Sequence, residues 1–296
     1  MKLGFIGYGK HARANLYPSL RELGVKISAV STTHDDSATQ ASNDYQIPQK
    51  YTNHIEMLEN EKLDAVFICA KPEQQVQLVK DALNSNVHVF VEKNLGMNSV
   101  EAKEILDLSI EKKKNIFVGF MKRFSPIYTQ MYEIINNEEF GDIISMSQIF
   151  TSRNFVSSSK EYLLFAAIHF IDLIRYYFGE IDVVKGEESV IGDTLSMSFV
   201  LKKKDNKTVS LYYSASPSWN NSKHEITITG TNGYVRSFGI DRLVYSSVEA
   251  NYLQLPKWQV LGEREITMTP MLTTGSGGVK ELYLNGFINE IEYFVN

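Results

Sequence analysis

The hexapeptide Gly7-Tyr8-Gly9-Lys10-His11-Ala12 constrains this chain more than any other feature. It follows a short apolar run at residues 3–6 and opens an amphipathic stretch at 12–23, so it joins a strand to a helix. In that context the spacing G-x-G-x-x-A predicts a backbone that lies against a pyrophosphate. Gly7 makes the tight turn, Gly9 leaves room for the phosphates, and Ala12 lets helix and strand approach closely. The helix N-terminus adds unpaired N–H groups and a positive dipole end. Tyr8, Lys10 and His11 ride on the same loop and are expected at the cofactor.

The residues around this loop repeat its grammar. Apolar runs at 25–30, 65–69, 87–91 and 116–118 alternate with helical patterns at 37–45, 74–84 and 100–113. Strands separated by helices form βαβ units, hence a parallel sheet covered on both faces. Asn98 is expected to cap the 100–113 helix, with Glu101 reaching back to the cap backbone. Beyond residue 120 the pattern changes. Helices are expected at 126–136 and 162–178, then strands at 183–188, 194–201, 208–214, 225–229 and 242–246 with no helix between them. Such strands make an antiparallel sheet. A closing helix is read at 279–295, after a glycine-rich segment, 274–280, expected to be a mobile loop. The chain thus reads as a dinucleotide-binding Rossmann-type domain, 1–120, followed by an α+β domain, 121–296.

Composition narrows the partners. A formal charge of −5 offers no basic footprint, so no nucleic-acid partner is expected. No run is long and apolar enough for a membrane span, and the glycines near the N-terminus interrupt any leader-like stretch. The single cysteine, Cys69, lies in an apolar run and reads as a small core residue. The histidines show no metal-binding spacing, so no metal is inferred. A cytoplasmic protein with a small-molecule substrate is the expectation.

At the end of the second strand stand Ser31 and Thr32, with no acid until Asp35. A carboxylate there would bind the ribose hydroxyl of NAD and repel a 2′-phosphate. Hydroxyls in its place favour NADP over NAD as cofactor, although no arginine is at hand to clamp the phosphate.

Further motifs follow in order. Ala70-Lys71-Pro72 and Glu92-Lys93-Asn94 end two strands; Gly119-Phe120-Met121-Lys122-Arg123-Phe124-Ser125-Pro126 lies at the domain junction; Ile168-His169-Phe170-Ile171-Asp172-Leu173 falls in an apolar helix. In this order and spacing the set resembles the glucose–fructose oxidoreductase, inositol dehydrogenase and rhizopine-catabolism (Gfo/Idh/MocA) oxidoreductase family. The resemblance runs from Lys2 to about Phe294. It implies a second domain with a large open antiparallel sheet, through which members assemble as homodimers or homotetramers. It also implies hydride transfer between a nicotinamide and a sugar, sugar nucleotide, cyclitol or similar polar carbonyl or hydroxyl. Lys93 matches the family lysine beside the reacting oxygen and His169 the acid–base group. Glu92 and Lys93 are expected at the nicotinamide, Ala70, Lys71 and Pro72 along the cofactor, and Arg123 and Asp172 at the substrate.

The chain departs from the family pattern in ways that bear on catalysis. Phe165 stands where the family has an aspartate four residues before the histidine, Asn94 replaces the E-K-P proline, and Lys71 replaces the threonine of T-P. Asp172, three residues after His169, can approach the same helix face or serve as a structural partner. Two alternatives therefore stand beside the dehydrogenase reading. One is a nucleotide-binding regulatory or assembly protein that has lost the activity. The other is a reductase of a conjugated or imine substrate.

Overall fold

The computed structural model describes residues 1–247, 265–270 and 279–296, which fall into two compact units. The first runs from Met1 to Met121 and takes back the closing residues from Val279 onward; the second begins at Lys122.

The first unit holds six parallel strands: β1 (Leu3–Ile6), β2 (Ile27–Ser31), β3 (Gln49–Tyr51), β4 (Ala65–Ile68), β5 (His88–Glu92) and β6 (Ile116–Gly119). Their order is β3-β2-β1-β4-β5-β6. Every residue of β1 and β4 is buried, as an apolar strand covered on both faces requires. The connecting helices are α1 (Tyr17–Glu22), entered through a π-helical turn at Ala12–Leu16, then α2 (Asp35–Tyr45), α3 (His54–Glu61), α4 (Pro72–Asn84) and α5 (Ser99–Lys112). The cap of α5 forms as the sequence indicates: Asn98 Oδ1 accepts from the Val100 and Glu101 N–H groups, both at 3.0 Å. Glu101 differs in one detail, since its carboxylate accepts from the Met97 N–H at 2.8 Å and from the side-chain Nδ2 of Asn98 at 3.0 Å in place of the cap backbone.

An aromatic ladder crosses one face of this sheet. Phe67, Phe90 and Phe117, on β4, β5 and β6, stack with ring centroids 4.5 and 5.3 Å apart. Phe294 meets Phe67 edge-on at 5.3 Å. The segment that carries Phe294 corrects the sequence reading twice. It is two helices, α9 (Lys280–Asn285) and α10 (Phe287–Val295), parted at Gly286, whose φ of 98° ends the first. It also belongs to the first unit and not to the second domain, because Leu282, Phe287, Ile288 and Ile291 join the core beneath the glycine loop. Residues 274–278 of the expected mobile loop lie outside the described residues.

The second unit is a mixed, mostly antiparallel sheet with helices on one face. Its strands are β7 (Ile143–Ser152), β8 (Val183–Ile191), β9 (Thr194–Lys202), β10 (Thr208–Ala215), β11 (Lys223–Gly230), β12 (Gly233–Phe238), β13 (Arg242–Ser247) and β14 (Glu265–Met268). They lie in the order β14-β13-β12-β11-β7-β10-β9-β8, and only β7 and β10 pair in parallel. The inward side chains, among them Met146, Phe150, Met197, Tyr213, Ile226 and Ile228, share a core with the helices α6 (Pro126–Ile135) and α8 (Ile168–Phe178). The other face leaves Ile149, Val200 and Tyr212 exposed. The expected continuous helix at 162–178 is divided: a short α7 (Ser159–Glu161) leads into a π-helical turn at Tyr162–Ala166, and Ala167 separates this from α8. Among the described residues no helix is long and apolar enough to cross a membrane.

Candidate functional site

The strand order of the first unit reverses between β1 and β4, and such reversals open a crevice beyond the carboxyl ends of the strands. Gly7 leaves β1 there with φ +107°, and a Cβ on it would lie 2.1 Å from the Cys69 carbonyl oxygen at the end of β4. No side chain fits that position. Gly9 is different: a Cβ built on it meets nothing within 4 Å, so its surface faces open space. Tyr17, fully buried, braces the turn by donating to the Gly7 carbonyl at 3.1 Å. The result is a cleft of about 770 Å³, of the size that takes organic cofactors. Gly7, Tyr8, Gly9, Lys10 and His11 line one wall, Ser31 and Thr32 another, and Ala70 and Lys71 a third. Glu92, Lys93 and Pro72, also expected at the cofactor, do not line the cleft, and Pro72 is the first residue of α4. It starts the helix where a missing N–H costs nothing. The loop geometry fits a dinucleotide: open glycine surface, backbone N–H groups and a helical N-terminus converge on one place.

At the end of β2 the lining groups are hydroxyls, those of Ser31, Thr32, Thr33 and Ser37. Asp35, the nearest acid in sequence, does not line the cleft. Its carboxylate is bound by Lys50 Nζ at 2.9 Å, and that cation holds it below the usual carboxylate range. His54 lines the cleft too, paired with Asp81 at 2.8 Å; the sequence reading did not single it out, because α3 is short and shows no motif.

Glu92 and Lys93 close β5. Glu92 is buried and accepts from His11 Nε2 at 3.1 Å, while Asn15 contacts His11 Nδ1 at 3.1 Å. His11 therefore ties the glycine loop to β5. Lys93 is half-buried, and burial lowers the pKa of its ammonium, opposed by the charge of Glu92. The Lys93–Asn94 peptide is cis. Gln75 of α4 holds this corner, donating through Nε2 to the carbonyls of Glu92 and Asn94, both at 2.9 Å. Gln75 carries no sequence signal except a polar residue on a helix; its 1% exposure is what reveals the role. The Cys69 thiol is half-buried and is pushed up by that burial and by Glu92.

In the second unit His169 lies in the first turn of α8, 8% exposed. Phe165 stands in the π-helical turn before it, so the two do not share one continuous α-helix. Arg123 and Asp172 come together. Arg123 Nε donates to Asp172 Oδ2 at 2.6 Å and Nη2 to Oδ1 at 2.5 Å, a two-pronged pair stacked at 5.1 Å on Tyr176. Burial raises the Asp172 carboxyl and the guanidinium opposes it, while Arg123 is raised in turn. Asp172 thus spends both oxygens on Arg123. Lys122 is buried between the rings of Tyr128 and Phe170, and desolvation lowers its pKa to about 8.

A glycine cradle at the switch point of a sheet in this order defines a dinucleotide-binding α/β protein. Residues 1–120 match the model of the Gfo/Idh/MocA oxidoreductase family, described as an NAD-binding Rossmann fold. Among curated relatives, an uncharacterized oxidoreductase, YrbE, from Bacillus subtilis is 26% identical over 181 residues, 60% of this chain and 53% of that protein. Myo-inositol 2-dehydrogenase of Thermotoga maritima is 24% identical over 199 residues, 65% of this chain and 60% of that one. The match thus spans little more than half the length of these relatives. A dehydrogenase structure from Chromobacterium violaceum superposes with a TM-score of 0.87 at 20% identity, covering 100% of this chain and 86% of that one, which shows the same fold.

Proposed function

We propose that this chain is a cytoplasmic oxidoreductase that uses NADP to interconvert a hydroxyl and a carbonyl on a sugar, sugar nucleotide, cyclitol or similar polar molecule. The observation that carries the reading is the pair of glycines at the switch point, one closed against Cys69 and one open to the cleft. The kinship to inositol dehydrogenases, one of which is named above, supports the substrate class. The cofactor supplies or accepts the hydride. Gly7 to His11, Ser31, Thr32, Ala70 and Lys71 would hold it, with Glu92 and Lys93 toward the nicotinamide.

In the oxidation, the substrate carbon gives up a hydride and its oxygen a proton, leaving a carbonyl. Lys93 would stabilise the developing alkoxide through its ammonium. His169 would take the hydroxyl proton, and return it in the reduction. Arg123 and Asp172 would position the substrate as a fixed pair. The preference for NADP is supported by the hydroxyl-lined end of β2 and by the withdrawal of Asp35 to Lys50. The exposed face of the second unit's sheet would pair with a second copy.

One observation favours a second reading, a regulatory or assembly protein that binds the nucleotide without turnover. Phe165 stands where the family pattern has an aspartate, and both oxygens of Asp172 are engaged by Arg123. Calorimetric titration with NADPH and NADH, followed by a screen of polyols, sugars, ketones and imines for NADPH consumption, tests both. NADPH is expected to bind more tightly. Equal or tighter NADH binding overturns the preference, and the absence of binding by either overturns the reading as a whole. Binding with no substrate in the screen, together with an effect of NADPH on assembly, moves the conclusion to the regulator.

A further inference from the structure

Glu290 sits in the first turn of α10 with 0% of its surface exposed, and neither carboxyl oxygen has a hydrogen-bond partner among the described residues. An ionised carboxylate left so is far costlier than a neutral one, so the group takes up a proton instead. Burial, and after it the charge of Glu92, holds the Glu290 carboxyl well above the ordinary carboxylate range. Glu92 is fixed in turn by His11 and by close packing at Gly119, where an added Cβ would lie 3.3 Å from its carboxyl group. The closing helix thus brings a neutral acid within reach of the carboxylate that ends β5, one residue before Lys93.

The other charged groups nearby are few. Cys69 and Lys93 respond to Glu92 from the ends of β4 and β5. On the helical segments packed against α10, Arg13 lies over the Tyr8 ring and Arg21 over Tyr45. Glu22 of α1 and Lys280 and Glu281 of α9 complete that set, and Glu292 is on α10 itself. Of all these, Glu92 is the charge that acts on Glu290.

We propose that Glu290 carries a proton at neutral pH and releases it when an oxidised, cationic nicotinamide binds beside Glu92, whereas the neutral reduced ring leaves the proton in place. This rests on the reading that the cleft holds the cofactor and that its nicotinamide lies at the end of β5. The oxidised and reduced forms carry the same phosphates and differ there by one positive charge. A cation close to a buried acid favours the ionised form. The coupling is reciprocal, so the proton on Glu290 weakens oxidised cofactor and spares the reduced form. A proton released on binding makes binding tighter as pH rises, by up to about tenfold per pH unit where one full proton is released. At the acid end of that window the site selects the reduced cofactor and so favours substrate reduction.

The test is calorimetric titration of the full chain with oxidised and with reduced cofactor, each in two buffers of different ionisation heat, which counts protons exchanged. The expected result is release of up to one proton with the oxidised form and little with the reduced form. Glu290→Gln removes that difference, and Glu281→Gln, at an exposed position of α9, keeps it. Release that is equal for both forms, or that survives in Glu290→Gln, overturns the proposal and assigns the proton to Lys93 or His11. Infrared difference spectra of the unmodified protein give an independent reading, since loss of a protonated carboxyl band is expected on adding oxidised cofactor only. A band that persists overturns the proposal even if the variant does not fold. The absence of heat with either cofactor removes the reading of the cleft instead, a result distinct from binding without the difference.

Discussion

Gly7 and Gly9 are two residues apart and answer to different constraints. The first is dictated by the fold, since any side chain would strike the Cys69 carbonyl and strain a positive φ. The second meets nothing in the chain, so only an occupant of the cleft would constrain it. Gly7→Ala is therefore expected to destabilise the protein by at least about 1–3 kcal/mol. Gly9→Val should leave the melting temperature nearly unchanged and abolish cofactor binding, because the branched side chain fills open space. A Gly9→Val protein that binds cofactor normally sinks the assignment of the cleft. If Lys93 acts as proposed, Lys93→Met should lower turnover about 100- to 1,000-fold with cofactor affinity nearly intact, as expected for a donor that acts on developing charge. His169→Asn should cost about 100- to 10,000-fold if its imidazole moves the proton. Normal turnover in Lys93→Met shows the mechanism to be wrong while leaving the fold untouched.

At the scale of elements, one pH effect belongs to β11. His224 lies between the rings of Phe150 and Phe170, and burial, with Lys122 adding to it, lowers its pKa from 6.5 to about 4. The folded imidazole therefore resists a proton that the unfolded one accepts. Stability is expected to fall as pH drops from 6.5 toward 4, by about 2–3 kcal/mol. Thermal unfolding across that range should show the decline, and His224→Phe should flatten it. A variant as acid-sensitive as the parent points to other groups. Elements differ in how plainly the sequence declares them. Five of the six strands of the first unit were legible as short apolar runs; β3, Gln49-Lys50-Tyr51 at the sheet edge, was not, because it is polar and largely exposed. The β7 strand was not, since its serines and Gln148 alternate with apolar residues in a way that no turn signal brackets. The break at Ala167 and the π-helical turn before it leave no mark on the apolar pattern. The glycine loop was readable to the residue. The Arg123–Asp172 pair was visible only as two candidates, because 49 positions separate them and only the fold brings them to contact.

At the scale of the whole molecule, the outward face of the second unit predicts self-association. Tyr212 and Ile149 stand opposite one another on β10 and β7, both exposed, with Val200 on the next strand. An exposed apolar patch on a broad sheet is a surface for a partner. Sedimentation at micromolar concentration is expected to give a dimer or larger species, and Ile149→Lys to shift it toward the monomer. A parent chain that sediments as a monomer counts against the assembly. The return of the closing helices to the first unit has another result, one that concerns the order of events on the ribosome. When residues 1–121 have emerged, the Phe67–Phe90–Phe117 ladder still lacks Phe294, and the glycine loop lacks the support of Ile288 and Ile291. All of the second unit must be translated before those side chains exist. The cleft at the glycine loop, built from early residues, gains its full packing only after the whole of the second unit has been made. A chain cut before Leu282 is therefore expected to hold the glycine loop less firmly and to bind cofactor more weakly, which titration of the shortened chain would show.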